Sequence, residues 1–507
     1  MDVVQDCFAE AAAEPKLVSR EELVARNSAP VAASVVSSTS SSTASISSTP
    51  SGDGARKKNK PMVMRKNMTR LLEEVLSGEA DSSPQKDVVY IGEDVEHGGY
   101  YLVTQGLKRK FPSRVADFPP DETGLVGAAI GYAQAGLVPI CEIPYAKYLD
   151  CGGDMFFEAA VMHWLSNGTS PNGMVIRLQG FDKGVFGGNF HTHNMVHTPP
   201  GLDVVCYSNG EDWVRGMRHA VRQARAGRVV MVVDSTALLN ERHLVDEDKD
   251  DKWMRAYPEQ LGEEMGFDEV VVHDVGAQYY ENKEGGEVGA EVGGSGGSSG
   301  SGSVSREIAD EVTDLMLSGG LTVKDLKAEL VAAGLSTTGR KAELLMRVVA
   351  HRKGVDEAVA AGDQIVKVAI VTYGNGVRTA LRYAHGATKA ARDAVEAKGS
   401  EGQSRVNLSV IDTPCLSQTP EGLRERLVEY DAVIFADVCK AGSQFPLAGM
   451  AADLQSTGHL PGRHWRAVGA TNTYNPLGNT STFLNEDDLR VAVGAVLEGL
   501  AQEEEDK

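Results

Sequence analysis

Asp121 and Glu122 stand side by side where Phe118-Pro-Pro gives way to a run rich in Gly and Ala. Adjacent acids at such a junction can cap the first turn of a helix, where carboxylates are favoured. They can also hold and move a proton during catalysis. A second group is the loop Gly184-Val-Phe-Gly-Gly-Asn-Phe-His191-Thr-His193, with His197 beyond it. His191, His193 and His197 are chemically sensible metal ligands. Their glycine-rich flanks bring no acidic partner, so a proton-handling histidine and a solvated loop with incidental histidines both compete with that reading, and no metal site is assigned. Tyr145 and Tyr148 lie just past an apolar strand, where a tyrosine serves either as ordinary core or as a wall for a ring-bearing ligand. Lys324, Lys327, Arg340, Lys341 and Arg347 form a local basic set that phosphate groups would attract.

The elements that must position these residues follow from hydrophobic periodicity. Met64 to Leu76 has a helical rhythm, and Asp87 to Gly92 is a short apolar strand ending in Gly-Glu-Asp. Asp121-Glu122-Thr123 opens a helix through Ala135, and Leu137 to Ile143 is a strand. Met155 to Trp164 is expected to be helical, Gly173 to Leu178 a strand, Leu202 to Cys206 another, Asp212 to Ala226 a helix and Val229 to Asp234 a strand. Strands alternating with helices argue for a parallel sheet covered on both faces. The acidic run Asp246 to Asp251 and the Gly/Ser tract Gly285 to Ser305 read as a solvated connector. A compact helical piece follows, and sheet texture returns at Ile365, at Val406 to Ile411 and at Asp431 to Asp437. The acidic tail Gln502 to Lys507 is expected to fray.

With 507 residues the chain is too long for one core, and two to four domains are expected. A net charge of -21 argues against a global nucleic-acid surface while leaving room for a local basic module. No apolar run has membrane-spanning length. The six cysteines are scattered without zinc or redox spacing and read as free thiols in a reducing compartment.

Four ordered blocks carry a family resemblance: Gly92-Glu93-Asp94-Val95 with Val103-Thr-Gln-Gly-Leu107; Phe118-Pro-Pro-Asp-Glu122-Thr-Gly-Leu-Val-Gly; Glu142-Ile-Pro-Tyr145-Ala-Lys-Tyr148; and the Gly/His loop followed by Pro200-Gly201-Leu-Asp-Val-Val205. Together they resemble the pyrimidine-binding domain in the beta subunit of the decarboxylating component of 2-oxo acid dehydrogenases. Thr372-Tyr-Gly374, Ile411-Asp412 and Thr471-Asn-Thr-Tyr-Asn-Pro476 look like the same family's transketolase-type second domain. The resemblance implies an α/β fold of two transketolase-type domains and a thiamine diphosphate cofactor shared with an alpha subunit that holds the Mg2+. It places at Glu122 the carboxylate that hydrogen-bonds the aminopyrimidine and supports deprotonation of the thiazolium carbon. Tyr148, with Tyr145 close by, matches an aromatic position that packs on the pyrimidine ring. His191 best matches the histidine that orients substrate during acyl transfer. Thr192-His193 stands where the family has Ser-Gln, and the segment is shorter, so His193 is an alternative. Implied partners are the alpha subunit, a second copy of this chain in a heterotetramer, and a lipoyl acyltransferase. The substrate would be pyruvate or a branched-chain 2-oxo acid, since no residue here discriminates between them.

Leu321 to Arg347 resembles a SAP domain, with Leu326, Leu330, Leu335, Leu344 and Val348 as a small core and the five basic residues facing DNA phosphates. A protein-docking module or an insertion without binding function is the competing reading. The expected organisation is 1–27, similar to the last helix of an alpha subunit and read as its remnant; 28–60, a Ser/Thr-rich linker; 61–250, the pyrimidine-binding domain; 251–304, an acidic and Gly/Ser-rich connector; 305–353, the SAP-like domain; and 363–501, the C-terminal domain. Gly52-Asp53-Gly54 lies in the linker without the downstream asparagine of a diphosphate motif and is set aside. Acidic residues near the start are unlike a mitochondrial presequence. A mitochondrial location therefore rests on the family alone, with plastid and cytoplasm as alternatives. A catalytically silent thiamine-fold scaffold that binds DNA or protein through the insertion is the competing function.

Overall fold

The computed structural model describes residues 2–13, 60–78, 86–166, 168–170, 172–181, 199–279, 326–327, 348, 365–398, 405–441, 446–460, 464–473 and 483–505. Two sheets organise them. The first has six strands: β1 (Val88–Gly92), β2 (Val115–Asp117), β3 (Val138–Ile143), β4 (Met174–Gly180), β5 (Leu202–Val205) and β6 (Val229–Ser235). Their spatial order is β2-β1-β3-β4-β6-β5, and every pairing is parallel. Strands β1, β3, β4 and β6 are buried at every position, as the near-continuous apolar runs required of a parallel sheet covered on both faces.

The described helices up to β6 are α1 (Asp2–Ala13), exposed at its described side chains, and, flanking or crossing this sheet, α2 (Met64–Ser77), α3 (Leu107–Lys110), α4 (Glu122–Gln134), α5 (Gly153–Leu165) and α6 (Gly210–Arg225). Helix α4 carries the chain from β2 back across β1 to β3. The strand order therefore reverses between β1 and β3, and a crevice outside the carboxyl ends of those two strands is where open α/β sheets bind ligands. Glu93 leaves β1 at that end, and Tyr145 lies just beyond β3.

The second sheet has β7 (Val271–Tyr279), β8 (Ile365–Thr372), β9 (Arg405–Asp412), β10 (Ala432–Lys440) and β11 (His464–Ala470), in the order β11-β10-β8-β9-β7. Only β7 runs antiparallel to its neighbour. Helices α7 (Asn375–Lys398), α8 (Glu421–Leu427), α9 (Pro446–Ser456) and α10 (Glu486–Glu505) accompany it. The α/β class expected from sequence is present in both units.

One boundary needs correction. Residues 251–279, expected to open a solvated connector, belong to the fold: Trp253, Tyr257, Met265 and Phe267 are buried, and β7 closes the edge of the second sheet. The apolar anchors of this stretch are widely spaced and follow no period. The partner of β7 is a strand more than a hundred residues downstream, so local pattern could not reveal it. The tail also differs, since α10 continues to Glu505. Of the SAP-like segment, Leu326, Lys327 and Val348 are described; both apolar residues are buried and Lys327 is exposed.

The two units join along β5. The segment after β9 runs beside that edge strand, with Val205 bridged to Cys415, Cys206 N donating to Pro414 O at 2.8 Å and Leu416 N to Val204 O at 2.8 Å. Ser208 Oγ donates to the Asp412 carboxylate, and Ser235 Oγ to Asn375 Oδ1 at 3.2 Å. Backbone groups that an edge strand would leave unpaired are thereby satisfied.

Candidate active site

Of the two acids, Asp121 takes the capping role foreseen for the pair. Asp121 is the N-cap of α4, and its side chain accepts from Gly124 N at 3.2 Å. Glu122 occupies the first helical position, half-buried. With capping done by its neighbour, its carboxylate is available to a ligand. The turn Ala146–Gly152 lies directly against it: a Cβ on Gly152 would sit 2.8 Å from the Glu122 carbonyl oxygen, and Thr123 Oγ1 donates to Cys151 O at 2.9 Å. These contacts tie the start of α4 to the segment that carries the tyrosines.

Glu93 is the group that sequence reasoning left without a role. It is 8% exposed, and its Oε1 has no hydrogen-bond partner among the described residues. Burial, then the charges of Glu122 and Asp94, push its carboxyl up to about 7. A buried, unpaired carboxyl poised near neutrality beside a second carboxylate is a functional-site signature. The available signal was its position, the first residue past a parallel strand at the edge of the crevice.

Three tyrosines line the same place. Tyr145 packs against Tyr100 and against Tyr148 with ring centroids 5.5 Å apart in each pair. The Tyr100 hydroxyl is raised by burial and then by Asp94 and Glu93, which places this ring beside the acidic pair. Tyr145 is buried, and Tyr148 is half-buried at the edge of the group. The crevice thus gathers carboxylate acceptors and three tyrosine rings that meet tilted or edge-on.

Beneath it runs a buried polar network across four strands. Tyr90 and Arg177 both donate to the Glu142 carboxylate, Gln179 Nε2 donates to Glu142 Oε1 at 2.5 Å, and Arg177 Nη1 donates to Tyr90 Oη at 2.8 Å. Arg177 also pairs with Asp234, which accepts from Trp213 Nε1 at 2.9 Å. Burial opposes the Arg177 charge, but Asp234, Tyr90 and Glu142 outweigh it and hold the guanidinium firmly protonated. Glu142 reaches the crevice floor, since a Cβ on Gly99 would lie 3.2 Å from its Oε1. The network fixes the carboxyl ends of β1 and β3 relative to β4 and β6.

The other expected residues fall differently. His191 and His193 lie outside the described residues, as do Lys324, Arg340, Lys341 and Arg347. Lys327 is described and is far in sequence from the crevice groups. Among the described residues no group of three or more His, Cys, Asp or Glu is placed to hold a metal ion. No described helix is long and apolar enough to cross a membrane.

Residues 65–240 match the transketolase pyrimidine-binding domain, and residues 318–353 match the SAP domain. The chain is 37% identical over 132 residues to the 2-oxoisovalerate dehydrogenase subunit beta of Pseudomonas aeruginosa, covering 25% of this chain and 37% of that protein. It is 38% identical over 133 residues to the mitochondrial 2-oxoisovalerate dehydrogenase subunit beta of Dictyostelium discoideum, covering 25% and 36%. A pyruvate dehydrogenase E1 component subunit beta of Staphylococcus epidermidis is 35% identical over 133 residues, covering 25% and 41%. The chain spans about two fifths of the length of these curated relatives. Residues 65–240 are therefore similar to the transketolase pyrimidine-binding domain, as found in 2-oxo acid dehydrogenase beta subunits, and residues 318–353 are similar to the SAP domain.

Proposed function

We propose that this chain is the beta-type half of a thiamine-diphosphate-dependent 2-oxo acid dehydrogenase, acting on pyruvate or a branched-chain 2-oxo acid. The observation that carries the reading is Glu122: its neighbour does the capping, and it stands at the switch-point crevice beside buried Glu93 and the tyrosine rings. These residues fit an aminopyrimidine. The ring nitrogens ask for carboxylate partners, the flat ring asks for an aromatic neighbour, and Glu93 Oε1 is a buried polar atom awaiting a partner. Bound thiamine diphosphate supplies the carbon nucleophile and the electron sink for decarboxylation.

Each protein group then has a task. Glu122 would hold the aminopyrimidine by accepting a hydrogen bond from a ring nitrogen. Glu93, neutral through much of the range below 7, can share a proton with Glu122 without placing two full charges side by side. Tyr148, with Tyr145 packed edge-on against it, would lie against the face of the ring. His191, with His193 as the alternative, orients substrate and moves a proton as the acyl group departs. The diphosphate and Mg2+ fall to an alpha subunit, and the acyl group passes to the lipoyl arm of an acyltransferase. The working unit is a heterotetramer with a second copy of this chain. The mitochondrial label of one relative supports that compartment.

Calorimetry on the full chain tests the cofactor reading. Thiamine diphosphate with Mg2+ should bind to the chain combined with a cognate alpha subunit, and Tyr148→Ala should weaken that binding. Equal heats for wild type and Tyr148→Ala would remove Tyr148 from the site; no heat of binding in the assembled complex would defeat the reading.

A further inference from the structure

The Gly/His loop leaves β4 through Phe181, a residue in an unusual state. Its φ of 51° lies in the left-handed region, which a non-glycine residue rarely adopts, yet its side chain is fully buried. Strain of that kind persists only where surrounding structure holds it. Here the holding comes from two directions. Phe181 O accepts from Ala237 N at 3.2 Å, and Thr236 Oγ1 donates to Gly180 O at 2.9 Å, which pins the backbone to the turn after β6. The ring meets Tyr373 edge-on, with centroids 6.0 Å apart.

Tyr373 belongs to the second unit, just past β8, and is itself fully buried. Its hydroxyl donates to Asp437 Oδ1 at 2.6 Å, and Asp437 also accepts from Cys439 N at 2.8 Å and Leu447 N at 3.0 Å. Asp437 thus anchors Tyr373 to β10 and to the first turn of α9. At the far end of the loop, Leu202 N donates to Pro199 O at 3.3 Å, and the following β5 is the strand that residues 414–417 of the second unit pair with. Phe181, just before residues 182–198, thus touches the second unit directly, while Pro199, just after them, leads into the strand that pairs with it.

We propose that Tyr373, through the buried ring of Phe181, is a positioning residue that fixes where the Gly/His loop departs from the sheet. The ring is the working part and the hydroxyl is its tether. The value of this clamp to catalysis rests on the function proposed above; the clamp itself does not.

Trypsin can report on it in the full chain, because Lys183 is the basic residue nearest the clamp within the loop. Cleavage after Lys183, followed by mass spectrometry under native conditions, should run between about twofold and tenfold faster in Tyr373→Ala and Phe181→Ala, the shift expected from losing one aromatic pair. Tyr373→Phe, which keeps the ring contact, should stay close to wild type. Leu423→Ala, which opens a cavity in α8 away from the clamp, controls for general destabilisation. Wild-type cleavage rates in Tyr373→Ala overturn the proposal, and so does equal acceleration in Leu423→Ala at matched melting temperature. Faster cleavage in Tyr373→Ala with unchanged turnover in the assembled complex supports the clamp and counts against a catalytic role for the loop.

Discussion

Burial, and then the charges of Glu122 and Asp94, keep the Glu93 carboxyl partly protonated near neutrality. The sign of the resulting pH dependence follows from Glu93, whose carboxyl is raised from 4.5 to about 7. Its contribution to stability is complete below about 4.5 and is lost as pH rises through about 7, because only the unfolded chain has already released the proton. Glu93→Gln should therefore flatten the fall in stability between those values, read as urea midpoints across the pH range. The Asp-Glu pair was legible in the sequence as the start of a helix, which Asp121 caps and Glu122 opens. The perturbed state of Glu93 was not legible. Its burial depends on α4 and the segment after β3 folding over the end of β1, and no local pattern encodes that.

Strands and helices set the precision of the site, and glycines mark where they approach most closely. Gly152→Ala should lower turnover more than it lowers thermal stability, because its new methyl group would press on the backbone of Glu122. Arg177 carries more of the fold. Replacing it with Met leaves Glu142 and Asp234 buried without their cation, which should cost about 3–5 kcal/mol in a urea titration. The regular elements of the first sheet could be read to within a few residues, since every fully buried parallel strand wrote itself as a Val/Ile-rich run. The short edge strand β2 and the antiparallel β7 could not. Their hydrogen bonds come from distant segments, and neither has a long apolar run of its own. The polar network of β1, β3, β4 and β6 was hidden for a related reason: Tyr90, Glu142, Arg177 and Asp234 lie on four different strands and meet only when the sheet forms.

At the scale of the molecule, the SAP-containing insertion leaves β7 at Tyr279 and returns to β8 at Ile365, and both residues pair with Arg405 on the intervening strand β9. The two attachment points are thus two strand spacings apart, roughly 10 Å. They lie at the end of the sheet opposite Thr372 and Asp412, which face the junction with the first unit. Replacing residues 280–364 with a short Gly/Ser linker should leave the melting temperature and cofactor affinity within experimental error of the full chain. If the SAP domain contacts DNA phosphates, the same deletion should abolish salt-sensitive retention on DNA at low ionic strength. The sequence announced two α/β units and an inserted module. It could not announce that residues 414–417 lie along β5, because that pairing joins segments some two hundred residues apart.

Glu122 is proposed above as the proton-holding carboxylate of a thiamine half-site. The most direct measurement combines the full chain with a cognate alpha subunit, thiamine diphosphate and Mg2+, and follows release of carbon dioxide from pyruvate and from branched-chain 2-oxo acids. Wild type should turn over at least one of these substrates, and Glu122→Gln should reduce the rate by about 10²–10⁴-fold while cofactor still binds. Equal rates for wild type and Glu122→Gln, or no turnover by either in an assembled complex, would contradict it.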